Sequence, residues 1–534
     1  MPTTITAKEN YLYKSKLPDI NIPHHLPLHD YLFERLAEVR DRPFLIDAAT
    51  GKTYTHGELH TISRKVPAGL ANLGLQRGEV VLLLLPNCPE FAFVFLGASM
   101  RGAIACTANP FYTPSEISRQ LKSCGARVIV TEAACVAKLR DENLVVITID
   151  SPPPGCLHFS VLSEANEKGE FLQCGEDDVV ALLYSSGTTG LPKGVMITHN
   201  NLVCSVAQQM DGENPNCYLH GGDVLLCRLP LFHVYALNSI FLCSLRAGAA
   251  ILIVRKFNGV GDLMEKIERF RITIAPLVPP IISEIVKASS VVSRYNTSSL
   301  RIIVSGGSPI VEKGVQGRLK YLFPNAVFRE AYGMTEAQVL ATNLAFAKFP
   351  FETKTGACGS VVRNAEMKII DIKTGVSLPH NHTGEICIRG PQVMKGYLND
   401  PEATAKTIDK DGWLHTGDIG FIDTNQEIFI VDRIKELIKC KGFQVAPAEL
   451  EALLLSNLGI ADAAVTGEKE QVRGEVPVAF VVRSAGSEIN EQEIREFVGK
   501  RVVFYKRIRK VYFVPQIPRS PSGKILRKSL MAAL

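Results

Sequence analysis

A chain of 534 residues can build several domain-sized cores, and 46% hydrophobic with 21% charged residues is the make-up of a soluble globular protein rather than a disordered or fibrous one. The net charge of +5 is unevenly spread: from Arg433 onward there are 18 Lys and Arg against 11 Asp and Glu, which leaves 41 against 43 before it. A basic C-terminal segment suits a polyanionic partner, but no nucleic-acid module pattern accompanies the charge.

Residues 1 to about 25 read as a loosely ordered lead-in without an apolar signal core. Leu28, Leu32, Leu36 and Val39 fall on one helical face, so the spacing predicts a single helix over 28–39. A rhythm of apolar runs follows: 80–85, 104–107, 128–131, 145–149, 179–184, 224–227, 250–254, 272–275 and 301–304. Helical periodicity fills many of the gaps, as at 90–100 and 114–124. This alternation predicts an α/β protein with mostly parallel sheets covered by helices. The run at 80–85 ends at Pro86, far too short to cross a bilayer.

The C-terminal part differs. Strands are expected at 427–431, 463–465, 476–482 and 511–514, with helices at 448–455 and 491–499. We therefore expect a large domain over 1–432 and a small α+β domain over 433–534. Thirteen scattered cysteines with no C-x-x-C spacing fit a reducing compartment better than a disulfide or zinc framework, so cytoplasm is the expected location.

Tyr184-Ser185-Ser186-Gly187-Thr188-Thr189-Gly190-Leu191-Pro192-Lys193-Gly194 follows an apolar strand with hydroxyls, glycines and one lysine. Glycines let backbone N–H groups converge on a ligand, and hydroxyls and a lysine add donors and charge; together they could cradle a polyphosphate. The spacing is not that of a P-loop, because Gly194 stands where a magnesium-binding hydroxyl would follow the lysine. Taken alone, such a stretch is more often a plain loop.

Further stretches combine loop chemistry with charge. These are Tyr332-Gly333-Met334-Thr335-Glu336, Trp413-Leu-His-Thr-Gly417-Asp418, Arg433 with Lys435, Lys439-Cys-Lys441-Gly442-Phe443-Gln444, and Lys524 in a Pro/Ser/Gly tail. In this order the set resembles the adenylate-forming acyl-CoA synthetase superfamily, whose phosphate loop is matched throughout Ser185–Gly194. Within it the chain is most similar to the plant 4-coumarate–CoA ligase family. That likeness rests on Gly384-Glu-Ile-Cys-Ile-Arg-Gly390, Leu344-Ala-Phe-Ala-Lys348, Gly356-Ala-Cys-Gly359 and Val361-Val-Arg-Asn-Ala-Glu-Met367, and on the stretch from Gly442 to Glu449.

The resemblance implies an ATP-dependent ligase of phenylpropanoid metabolism that makes CoA thioesters of hydroxycinnamates through an acyl-AMP. It assigns Lys524, His233 and Lys439 to catalysis. ATP or AMP contacts fall on Ser185, Ser186, Gly187, Thr188, Thr189, Lys193, Glu330, Ala331, Thr335, Asp418, Arg433, Lys435 and Gln444. Glu336 is implied as the magnesium ligand, and Lys256, Lys441 and Gly442 as coenzyme A contacts. Tyr235, Ser239 and Gly333 are implied for the acyl pocket. The partners are then small molecules, with no nucleic acid, no membrane span and a monomer as the default. A hinge is expected at Asp432–Lys435.

The chain departs from the family in two places. Arg329-Glu330-Ala331 stands for Gly-Gln-Gly, and Ala337-Gln338-Val339-Leu340 is one residue shorter than Ala-Gly-Pro-Val-Leu. The second change should alter the pocket and its tolerance of ring substituents. Three alternatives stay open: a fatty-acyl synthetase, another aromatic acyl-CoA synthetase, and a degenerate adenylate-binding protein.

Overall fold

The computed structural model describes residues 11–139, 143–166, 174–185, 192–212, 218–307, 310, 314–342, 354–440, 443–470, 474–520 and 523–532. Two large sheets, one antiparallel sheet and a smaller C-terminal sheet make up the protein.

The first large sheet runs in the order Gly396–Tyr397, Lys193–Thr198, Val179–Ser185, Ile104–Thr107, Val80–Leu84, Val128–Thr131, Val145–Thr148, Leu157–His158. From Val179–Ser185 outward it is parallel, whereas Lys193–Thr198 pairs antiparallel with both of its neighbours. The second large sheet has a parallel centre from Val327–Met334 to Pro43–Asp47 and antiparallel strands at both ends. Val80–Leu84 is buried at every position, which is why it reads as an unbroken apolar run.

Helix Pro89–Arg101 is buried almost throughout, with Phe91, Phe93 and Phe95 fully enclosed, so it belongs to the core that joins these sheets. Pro114–Cys124 opens with a Thr113–Glu116 capping box and closes on Gly125 in a left-handed conformation.

The helix expected over 28–39 is two pieces, Leu28–Phe33 and Leu36–Val39. Arg246 supplies the reason. Its Nη1 donates to Tyr31 O at 2.9 Å and to Glu34 Oε2 at 2.6 Å, taking a carbonyl that a continuous helix would use for the amide of Arg35.

The antiparallel sheet Tyr13–Lys14, Glu366–Ile370, Gly384–Arg389, Leu414–Ile422, Ile428–Arg433 was not anticipated as such. The C-terminal sheet is built on Ile460–Glu470 and Gly474–Arg483, both longer than expected, with Ile438–Cys440, Phe443–Val445 and Lys510–Phe513 beside them. Helices Pro447–Leu455 and Glu491–Gly499 cover it and share its own hydrophobic core, which includes Ile438, Leu450, Val465, Val481 and Ile494. This part touches the larger one where Lys287 Nζ donates to Ala461 O at 3.1 Å. Among the described residues no helix is long and apolar enough to cross a membrane, and twelve cysteines are free thiols.

Candidate active site

The glycine–hydroxyl stretch joins two adjacent antiparallel strands. Ser185 closes Val179–Ser185, Lys193 opens Lys193–Thr198, and the two are cross-strand partners. Between them Ser186, Gly187, Thr188 and Thr189 lie outside the described residues. Ser185 Oγ donates to Glu336 Oε1 at 2.6 Å, which brings together two positions 151 residues apart. Lys193 Nζ stands 3.1 Å from Asp400 Oδ2 and over the ring of Tyr397.

Glu336 is buried, 4% exposed, and its Oε1 also accepts the hydroxyl of Tyr397 at 3.0 Å. A buried carboxylate needs such donors to stay charged. Tyr397 was not singled out by the sequence. It sits in a two-residue strand outside every recognised stretch and reaches the site because Val195 pairs with it.

Asp418 and Arg433 are directly opposed on the antiparallel strands Leu414–Ile422 and Ile428–Arg433. Arg433 Nε lies 2.9 Å from Asp418 Oδ1, and Tyr332 donates its hydroxyl to Asp418 Oδ2 at 2.7 Å. Burial, then the adjacent carboxylate, raises the Tyr332 phenol well above its usual range, so it acts as a donor at any ordinary pH.

Lys524 arrives from the C-terminal loop. Its side chain keeps accessible surface within reach of the charges of Arg433, Asp418, Glu336 and Lys435, in the cleft where the small sheet meets the large part. Burial first and Arg433 second lower its pKa to about 8, while Asp418 and Glu336 oppose the shift. The loop is held by Lys524 N–H donating to Ser520 Oγ at 3.1 Å and by Arg519 pairing with Asp462. It rests on the large part through Gly523, whose φ is +81° and where a Cβ would lie 3.3 Å from both Val278 and Pro280.

His233 lies close enough to Lys524 to feel its charge. Burial, then the lysine's charge, lowers its pKa to about 4, so the ring is neutral at physiological pH. Tyr235 opens the π-helix Tyr235–Leu242, and its ring crosses Gly306, where a Cβ would meet it at 3.0 Å. Ser239 Oγ and Gln338 Nε2 are buried without a hydrogen-bond partner among the described residues. The Gln338 Oε1 accepts Asn238 Nδ2 at 3.1 Å, which ties the shortened loop to the helix of Tyr235. Gly333 has no room for a side chain, because a Cβ would lie 2.4 Å from Gln338 O. Thr335 lies in the same turn as Glu336.

Glu330 and Ala331 lie on Val327–Met334. Glu330 is buried, and its carboxyl accepts the amide of Ile310 and the side chain of Gln316; burial raises its pKa to about 7. Its hydrogen bonds are thus to the protein itself. Lys256 and Lys435 are exposed. Lys439 and Gln444 are cross-strand partners on Ile438–Cys440 and Phe443–Val445, just past the Asp418–Arg433 pair. Lys441 and Gly442 lie outside the described residues.

The geometry brings Ser185, Lys193, Glu336, Asp418, Arg433, Lys524 and His233 around one cleft. An AMP-binding enzyme family model matches residues 32–398, and the model of its C-terminal domain matches 449–524. The chain belongs to the AMP-binding enzyme family. Among curated relatives, the 4-coumarate–CoA ligase of Pinus taeda is 63% identical over 533 residues, covering 99% of this chain and 98% of that protein. Among solved structures, ATP-bound MatB from Rhodopseudomonas palustris matches with a TM-score of 0.84 at 27% identity, over 95% of this chain and 99% of that one. Apo MatB from the same organism matches over the same shares at 26% identity, but with a TM-score of 0.73.

Proposed function

We propose that this protein is an ATP-dependent acid–thiol ligase that converts 4-coumarate and related hydroxycinnamates to their coenzyme A thioesters. The observation that carries the substrate class is the 63% identity with a 4-coumarate–CoA ligase over almost the whole of both chains. The convergence of Ser185, Glu336, Asp418, Arg433 and Lys524 supports an intact site rather than a degenerate binding protein. Phenylpropanoid metabolism in the cytoplasm is the setting this reading implies, and the free thiols fit it.

In the first half-reaction the acid's carboxylate attacks the α-phosphorus of ATP, forming acyl-AMP and expelling pyrophosphate. In the second, the thiolate of coenzyme A attacks the acyl carbon and AMP leaves. Negative charge crowds the α-phosphate in the first step, so positioned cations are the main catalytic need. Lys524 meets it, within reach of the charges of Arg433, Asp418 and Glu336. His233, neutral and beside Lys524, adds no competing positive charge and can hydrogen-bond the incoming carboxylate. Ser185 and Lys193, with Ser186, Gly187, Thr188 and Thr189, hold the β- and γ-phosphates. Asp418 accepts from ribose hydroxyls with Arg433 fixing its orientation, and Thr335, Ala331, Lys435 and Gln444 complete the nucleotide side.

The oxygen-only donors at Glu336 and Ser185 fit Mg²⁺, a hard ion that would neutralise phosphate charge when bound. Tyr235, Ser239 and Gly333 line the acyl side, and the unpartnered Ser239 hydroxyl and Gln338 amide suit polar ring substituents.

The arrangement with Lys524 at Asp418 serves adenylation. The better match to ATP-bound than to apo MatB supports this assignment. Thioester formation then needs residues 433–534 to turn about Asp432–Lys435, bringing Lys439, Lys441 and Gly442 towards coenzyme A, with Lys256 a further contact. Pyrophosphate release measured over hydroxycinnamates, benzoates and fatty acids, with and without coenzyme A, tests the proposal. Hydroxycinnamates should lead by at least an order of magnitude. A fatty acid as the best substrate would overturn it.

A further inference from the structure

Away from that cleft, one group of side chains has the donors and spacing of a transition-metal site. Glu385 and Cys387 lie two apart on Gly384–Arg389, so the period of a strand puts both on one face. Antiparallel register then sets His415 opposite Cys387. Cys387 Sγ lies 3.6 Å from His415 Nδ1, and Glu385 Oε2 lies 3.1 Å from the same nitrogen. All three ligand atoms fall within 4.8 Å of one another.

Zinc bonds of about 2.3 Å to sulfur and about 2.0–2.2 Å to nitrogen and oxygen, at tetrahedral angles, set sulfur and nitrogen about 3.5 Å apart and nitrogen and oxygen about 3.4 Å apart. The two measured edges lie close to these values. We propose that Glu385, Cys387 and His415 form a binding site for a divalent transition ion of the zinc class, with water as the fourth ligand. This site uses none of the residues placed at the Glu336 position.

The surroundings favour it. Asp409 Oδ2 lies 3.7 Å from His415 Nε2, the place of an outer carboxylate that orients a ligating imidazole and leaves Nδ1 for the ion. Thiolate, imidazole and carboxylate together suit zinc rather than magnesium or calcium. The cations on this face have partners of their own: Lys368 and Arg389 both stand over the Trp413 ring, and Arg389 also pairs with Glu366.

A thiol must give up its proton to bind such an ion, so binding releases the Cys387 proton to solvent. Glu385 Oε1 meanwhile accepts the amide of Gly417 at 3.2 Å, so an ion here would brace the turn that presents Asp418.

Zn²⁺ titrated into the metal-stripped full-length chain against a chromophoric chelator tests the site. Wild type should hold one equivalent more than Cys387→Ser and one more than His415→Gln, and Asp409→Asn should bind that equivalent about 10- to 100-fold more weakly. Co²⁺ should give wild type a thiolate charge-transfer band, a readout that needs no variant to fold. Equal zinc stoichiometry in wild type and both ligand variants would overturn the proposal. So would loss in Cys387→Ser but not in His415→Gln, which would mean binding by a thiol alone, or the absence of the cobalt band.

Discussion

Tyr397 donates its hydroxyl to the same oxygen of Glu336 that receives Ser185 Oγ, at 3.0 Å and 2.6 Å. The phosphate-loop strand, the Tyr332–Glu336 turn and the strand at Gly396–Tyr397 thereby meet on one buried carboxylate. Tyr397→Phe keeps the ring under Lys193 and removes the donor. Leaving a buried charged acceptor short of one partner costs about 1–3 kcal/mol, or roughly 5- to 150-fold. We expect kcat/KM for ATP to fall within that range and the magnesium requirement to rise, read from initial rates across magnesium concentrations. Unchanged magnesium dependence would remove Tyr397 from the site.

Lys524→Ala should separate the two half-reactions. Pyrophosphate release should collapse, by about 100-fold or more for a charge made to act only in the transition state. Thioester formation from supplied 4-coumaroyl-AMP should largely persist, since the proposed mechanism confines the lysine to the first step. Equal loss in both assays would contradict the division of labour between Lys524 and the residues after Asp432.

Glu330 gives a pH signature. Its carboxyl has an ordinary value of 4.5 in the unfolded chain and about 7 in the folded one, with burial as the main cause. Between those values the folded state holds more protons than the unfolded state, so this group's contribution to stability is intact below pH 4.5 and declines until about pH 7. The full decline is about 3 kcal/mol. Glu330→Gln has no charge to bury and should unfold at a higher temperature than wild type at pH 8, with the difference vanishing near pH 4.5. Gln316 has its own oxygen occupied by Thr355, so its amide remains the donor to either side chain. A gap in melting temperature that does not vary with pH would contradict this.

Gln338 marks the acyl side. It has φ of +56°, a left-handed conformation rare for a side-chain-bearing residue, and it holds Asn238 on the helix of Tyr235 and Ser239. Replacing Gln338 by Gly-Pro restores the family's loop length and breaks that tie. Relative turnover of 4-coumarate, ferulate and sinapate should then change by several-fold. An unaltered profile would show that the loop does not shape the pocket.

Much of the architecture could be read in advance, because strands buried on both faces, such as Val80–Leu84 and Val128–Thr131, betray themselves as apolar runs. The antiparallel sheet was missed although Glu366–Ile370 alternates: Met367 and Ile369 are buried while Glu366 and Lys368 are only partly so, a weak signal among charges and glycines. The C-terminal strands outran their apolar stretches because the ladder continues through Glu468, Lys469 and Glu470, whose backbones pair irrespective of side chain. In the cleft, Ser185, Lys193, Glu336, Asp418, Arg433 and Lys524 come from stretches that stand out in the sequence, whereas Tyr397 and Asp400 do not, since strand pairing brings them there. The Glu385–Cys387–His415 group had the same fate: two of its members share a strand, but the third depends on register, which spacing does not encode.

Gly523 has a consequence for the rhythm of turnover. The loop that delivers Lys524 touches the large part at Val278 and Pro280 through a residue with no side chain. Gly523 brings no side chain to this contact, so the loop can lift from Val278 and Pro280 with no rotamer of its own to unlock there. In the proposed cycle, direction at this point is then left to the chemistry itself. On the mechanism proposed above, the substrate charges attract the lysine, and their loss with pyrophosphate lets it go.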